Sequence, residues 1–214
     1  MNKEIYILGV GHNTIVYVDL LEQCGYIIKG LYHYNDERTG ETYFDYPIIG
    51  SFADLYAKED LTGMNFALSM GDNKVRKMAY ETIIRLGGDI PTIIHPKADV
   101  SKYATLGRGV VVHTNTVVHP EVTIGDNTVI SCNCTLIHAS NIGSHTYIAG
   151  SALIGAYTNM HDNVFVGLGA VLISAKVSLV GESAIIGAGA VVSSPVEANT
   201  VVAGVPARCI RKIE

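Results

Sequence analysis

The chain has 214 residues, a net charge of −5 at pH 7, 48% hydrophobic residues and 16% charged ones. That balance is the opposite of a disordered segment's, and the acidic net charge lacks the basic footprint expected of a nucleic-acid binder. No run approaches the ~18 apolar residues of a membrane span, so neither nucleic acid nor membrane is an expected partner. In chain order, Glu4–Val10 reads as a strand that runs into glycine, rather than as a signal peptide. Thr14–Cys24 has helical spacing, with Gly25 placed to end it. Tyr26–Tyr34 is a second strand, and Pro47–Ile49 a short extended piece. Ser51 is placed to cap a helix through Lys58, and Asn65–Met70 is another strand. Asn73 is placed to cap a helix through Leu86, closed by Gly87-Gly88. Alternating strands and helices predict a small parallel α/β sheet.

Charge splits the chain. Residues 1–95 hold 8 Lys+Arg and 13 Asp+Glu, whereas residues 96–214 hold 7 of each. With the His95-Pro96 break, this predicts domains over 1–95 and 96–214. Cys24, Cys132, Cys134 and Cys209 form no C-x-x-C pair, which suits reduced, buried thiols in the cytoplasm.

The second half repeats every six residues. From Val100, the sixth positions are Leu106, Val112, Val118, Ile124, Ile130, Leu136, Ile142, Ile148, Ile154, Met160, Val166 and Leu172. Four residues after each comes a small or β-branched one, from Ala104 to Ala170, and glycine follows the aliphatic position at 107, 125, 143, 155 and 167. The pattern resumes at Val180, so two extra residues lie between Leu172 and Val180. Such a period predicts a coil of short flat faces, with the aliphatic residue inward, the small one in a corner and glycine permitting the turn. Three faces make an ~18-residue rung, and rungs stack at the ~4.8 Å strand spacing. About five rungs are expected.

This run, with the tail Val202-Ala203-Gly204-Val205-Pro206-Ala207-Arg208, resembles the hexapeptide-repeat, left-handed β-helix acyltransferases. Gly9-Val10-Gly11-His12, and Gly71-Asp72-Asn73 with Arg76, resemble the Rossmann-like nucleotide-sugar domain of one subfamily. That subfamily holds sialic acid O-acetyltransferases and nucleotide-amino-sugar N-acetyltransferases. The resemblance implies a homotrimer that uses acetyl-CoA as cosubstrate, without a metal, in surface-glycan biosynthesis. It also implies substrate contacts at Gly9, Gly11, His12, Gly71 and Asp72. Two features depart from the subfamily. The glycine turn is one residue shorter and lacks its last glycine, and His33, Tyr34, Asn35 and Asp36 occupy the place of an Asp-Asp pair. Nucleotide binding and a purely structural domain are the two readings of this half.

Acetyl transfer needs a base for the acceptor's proton, and histidine titrates in the right range. In register, the resemblance puts the catalytic histidine at His138, within Leu136-Ile137-His138-Ala139-Ser140-Asn141-Ile142-Gly143. The acidic residue that usually follows is Ala139 here. One rung earlier stands Glu121, a candidate to supply the missing carboxylate, or else an exposed turn residue beside Pro120. Coenzyme contacts carry over to Tyr147, Ala156, Leu168 and Ala188. A zinc-dependent carbonic anhydrase would need a His-x4-His pair, but five residues separate His113 from His119 and six separate His138 from His145. A non-enzymatic assembly protein and an O-acetyltransferase acting on a sialic acid are the remaining alternatives.

Overall fold

Short apolar strands bury best away from the edges of a sheet, and β1 (Glu4–Leu8) takes an interior place, with Ile5, Ile7 and Leu8 buried. The computed structural model describes residues 3–213, which divide into two units at Ile93/Ile94. In the first unit β1 pairs in parallel with β2 (Ile27–His33) and, on its other side, with a three-residue strand, Phe66–Leu68. Beyond β2 lies a hairpin of β3 (Thr42–Tyr43) and β4 (Tyr46–Ser51), so the five-stranded order is β3-β4-β2-β1-β5, with β5 being Phe66–Leu68. Helix α1 (Thr14–Gln23) connects β1 to β2, α2 (Phe52–Tyr56) connects β4 to β5, and α3 (Asn73–Arg85) follows β5.

Two helix ends differ from the sequence expectation. Ser51 does cap α2, in a reciprocal box with Asp54, whose carboxyl is held below its usual range by the Ser51 hydrogen bonds. The helix nevertheless ends at Tyr56, and Glu59 adopts a left-handed φ of 61°. The cap of α3 is Asp72 rather than Asn73. The Asp72 carboxylate accepts the N–H groups of Lys74 and Val75 at 2.8 and 3.0 Å, while Asn73 accepts from Arg76 Nη2 at 2.9 Å.

The second unit is a left-handed β-helix. Two-residue strands stack into three walls. Val117 pairs with Thr135, Thr123 with Asn141 and Val129 with Tyr147, each 18 residues on. The second residue of each strand points inward, and Val118, Ile130, Leu136, Ile148, Ile154 and Val166 are almost wholly buried. The small corner residues Val110, Thr116, Val122, Cys134, Ser140 and Ala152 are buried with them. Burial pushes the Cys134 thiol up to about 11. Asn159 pairs with Leu179, 20 residues on, so the two extra residues enlarge the corner after Leu172. Antiparallel strands Thr200–Ala203 and Arg208–Lys212 close one wall.

The glycines following the aliphatic residue do not make the turn. The left-handed φ falls two residues later, at Gly109, Asn115, Glu121, Asn127, Asn133, Ala139, His145, Ser151, Tyr157, Asn163, Gly169 and Ala175. Gly125, Gly143, Gly155 and Gly167 instead sit where the next rung's backbone passes. A Cβ on any of them would come within 2.5 Å of it. Close approach, rather than conformational freedom, selects glycine there.

Candidate functional site

In the first unit, the turn after β1 leads into α1. Gly9 has φ 99°, and a Cβ there would meet Ser69 Oγ at 2.8 Å. Buried Thr14 ties the turn to the helix, accepting from the Gly11 N–H at 2.8 Å and donating to the Gly9 carbonyl at 3.1 Å. Asn13, at the N-cap, makes no side-chain capping bond. In the first turn, the N–H groups of Thr14 and Val16 are taken by the Gly11 and Asn13 carbonyls at 3.0 and 3.1 Å. A cavity of about 470 Å³ opens here, lined by Gly9, Gly11, His12, Tyr34, Phe52 and Gly71, among others. Four of the sequence-derived substrate residues therefore meet at one cavity. The fifth, Asp72, is not among its lining residues, and its carboxylate caps α3. Two residues of the sequence motifs, outside the expected substrate contacts, also shape the region. Tyr34 packs on the His33 ring at 4.3 Å. Arg76 is fully buried and donates to the Met70 carbonyl at 3.3 Å, bracing the loop that carries Gly71.

In the second unit, His138 stands exposed at a corner of the coil. Two positions after the inward aliphatic residue, a side chain often folds back to accept the N–H of the residue one rung earlier. Asp126 takes the Arg108 N–H at 2.9 Å, Asp162 takes that of Ser144 at 2.8 Å, and Ser174 takes that of Ala156 at 3.0 Å. His138 occupies the equivalent position, but the residue one rung earlier is Pro120, which has no N–H to cap. The imidazole is thereby released from this duty. Among the described residues no hydrogen bond engages the His138 ring, and its one ring contact is Tyr157, at 5.5 Å between centroids and 89° between planes. Glu121 lies in the same column as Ala139, one rung away, as the pairing of Thr123 with Asn141 requires. It is exposed and makes no hydrogen bond or ion pair with His138.

The other histidines of the coil are placed differently. His145 is buried, and its Nδ1 lies 2.9 Å from the Asn127 amide nitrogen. His113 is buried, and desolvation, with His95 nearby, pushes it down to about 4.

The coenzyme positions fall in three places. Ala156 is one rung from His138 on the same corner, but its N–H is taken by Ser174 Oγ. Leu168 and Ala188 stack on a different corner, and their N–H groups engage no acceptor among the described residues. Tyr147 lies on a wall, its ring stacked on Phe165 at 5.6 Å. Among the described residues no group of three or more His, Cys, Asp and Glu side chains is arranged to hold a metal ion. No helix among them is long and apolar enough to cross a membrane.

Two family models match this chain. Bacterial transferase hexapeptide (six repeats) covers residues 103–138, and the PglD N-terminal domain covers residues 4–83. Among solved structures, the acetyltransferase domain of PglB from Neisseria gonorrhoeae superposes with a TM-score of 0.87 at 26% identity, covering 98% of this chain and 100% of that one. A variant of perosamine N-acetyltransferase from Caulobacter crescentus, solved with CoA and GDP-perosamine, gives 0.88 at 22% identity, with 98% and 97% covered. WeeI from Acinetobacter baumannii gives 0.85 at 22%, with 96% and 99% covered. A curated Schizosaccharomyces pombe protein named as an acetyltransferase is 45% identical over 56 residues, which spans 26% of that protein's length and 26% of this chain.

Proposed function

The chain belongs to the hexapeptide-repeat sugar acetyltransferase family, and from that premise we propose that it moves an acetyl group from acetyl-CoA to the amino group of a nucleotide-linked amino sugar. The observation that carries this reading is the His138 imidazole, exposed and left without a hydrogen-bonding partner in a coil that satisfies its equivalent side chains. As the amine attacks the thioester carbonyl, His138 takes the amine's proton. The C–S bond then breaks, and the departing CoA sulfur takes that proton back. The cavity beside Gly9 and His12 is the proposed nucleotide site, its glycine turn admitting a diphosphate near the start of α1. The unengaged N–H groups of Leu168 and Ala188 suit the amide carbonyls of the coenzyme's pantetheine arm.

The active assembly in this reading is a homotrimer in the cytoplasm. One wall of the coil carries mainly apolar outer residues, among them Tyr147, Phe165 and Ile185; a second mixes Val117, Leu153 and Val171 with Asp99 and Thr135; the third carries Thr105, Thr123, Asn141, Asn159 and Leu179. Apolar walls bury against copies, and unlike walls meeting head to tail close a ring. His138 and Leu168 also sit on different corners of one coil, so a neighbouring copy is needed to complete the site. Light scattering should give three times the chain mass, and a monomer at micromolar concentration would contradict the assembly. The activity is tested by thiol release with UDP-, dTDP- and GDP-linked amino sugars. Turnover confined to a free sialic acid would replace N-acetylation with O-acetylation.

A further inference from the structure

We propose that Tyr157 is a positioning residue for the base: its ring sets the orientation of the His138 imidazole toward the attacking amine. This rests on the reading of His138 as the base. Leu153 pairs with Thr135, which stacks Tyr157 directly over Ala139. Ala139 has only a Cβ, so the tyrosine ring crosses it and meets His138 edge to face. The contact does not serve a core, because Tyr157 is 63% exposed. It does not serve the phenol either, since the hydroxyl has no hydrogen bond among the described residues.

The backbone makes the choice of tyrosine stand out. Tyr157 has φ 64°, a left-handed conformation that bulky side chains resist. At the other two corners the same position is filled by Asn115, Asn127, Asn133, Asn163 or Ser151, by glycine, or by His145. An aromatic residue held here against that preference, and exposed, has one neighbour to act on. A ring packed against imidazole removes rotamers that would swing it away from the acceptor.

The test compares Tyr157→Phe, Tyr157→Asn and His138→Ala by thiol release across pH, with melting temperatures of each. Tyr157→Phe keeps the ring and should retain kcat within about twofold. Tyr157→Asn should lose kcat about threefold to tenfold with KM for both substrates little changed, which is the scale of one edge-to-face aromatic pair. Its melting temperature should equal or exceed the parent's, since asparagine accepts the left-handed φ. An unchanged kcat in Tyr157→Asn would overturn the proposal. So would Tyr157→Phe being as impaired as Tyr157→Asn, which would assign the effect to the hydroxyl. Near-normal turnover by His138→Ala would instead remove the base itself, a failure of the underlying reading that these variants tell apart.

Discussion

His138 and His145 lie seven positions apart in the chain, on neighbouring corners of one coil, and their surroundings are opposite. The corner of His145 is rich in polar groups. Asn127 and Asn163 flank it one rung to either side, the Asn127 amide reaches its Nδ1, and Asp126 and Asp162 bind the amides of Arg108 and Ser144. The corner of His138 holds Pro120, Ala139 and Ala156, none of which offers it a side-chain partner. In a repeating coil each residue's neighbours are those one rung away. A structural histidine is therefore made by supplying acceptors and donors in its column, and a reactive one by withholding them.

Exchanging either histidine breaks that comparison most directly. His138→Ala should lower kcat by ~10²–10⁴, the usual worth of a general base, with an unchanged melting temperature. His145→Ala should do the reverse: stability falls by ~1–3 kcal/mol as a buried hydrogen bond is lost, while kcat of the folded fraction is retained. Kinetics and thermal melts on both variants check this, and a stability loss confined to His138→Ala would invert the assignment.

Buried His113 sharpens the contrast through pH. Its folded value is lowered from 6.5 to about 4 by burial. The unfolded chain therefore binds a proton first, and stability is complete above pH 6.5 and lost as pH falls toward 4. The shift corresponds to about 3 kcal/mol. Urea melts at stepped pH, wild type against His113→Gln, should show the difference grow over that window. Parallel curves would place the acid sensitivity elsewhere. At Gly143, a Cβ would lie 2.5 Å from the carbonyl carbon of His161 in the next rung. Gly143→Ala should cost about 1–3 kcal/mol by overpacking, whereas Gly169→Ala, where nothing lies within 4 Å, should cost only the strain of its φ of 63°.

How much could be read in advance follows the same physics. The inward residues and the stacking of Glu121 under Ala139 were legible because a six-residue period dictates both. Glycine at 125 and 143 was legible as glycine but not as to cause, since close approach and left-handed φ select the same residue. The α3 cap was displaced by one, because Asp72 and Asn73 are both good caps and only the backbone decides between them. The hairpin of β3 and β4 was invisible, for its turn places Phe44 and Asp45 at left-handed φ without the glycine that usually announces one. The role of Tyr157 needed the ring contact. Its column was implied by the repeat, but its direction was not.

The smallest expected effect concerns Glu121. Its column brings it one rung from Ala139, at the ~4.8 Å strand spacing, yet no hydrogen bond joins it to His138. If its carboxylate turns toward the imidazolium as that charge forms, Glu121→Gln should lower kcat by a few-fold. The coupling is small because both groups are exposed, and exposed ion pairs are worth ~0–1 kcal/mol. The same exposure gives a second readout, since raising ionic strength should erase the difference between wild type and Glu121→Gln while leaving the Tyr157→Asn deficit in place. A kcat identical to wild type at low salt would leave His138 to work with the tyrosine ring alone. The corner would then differ from its neighbour by having no polar support at all.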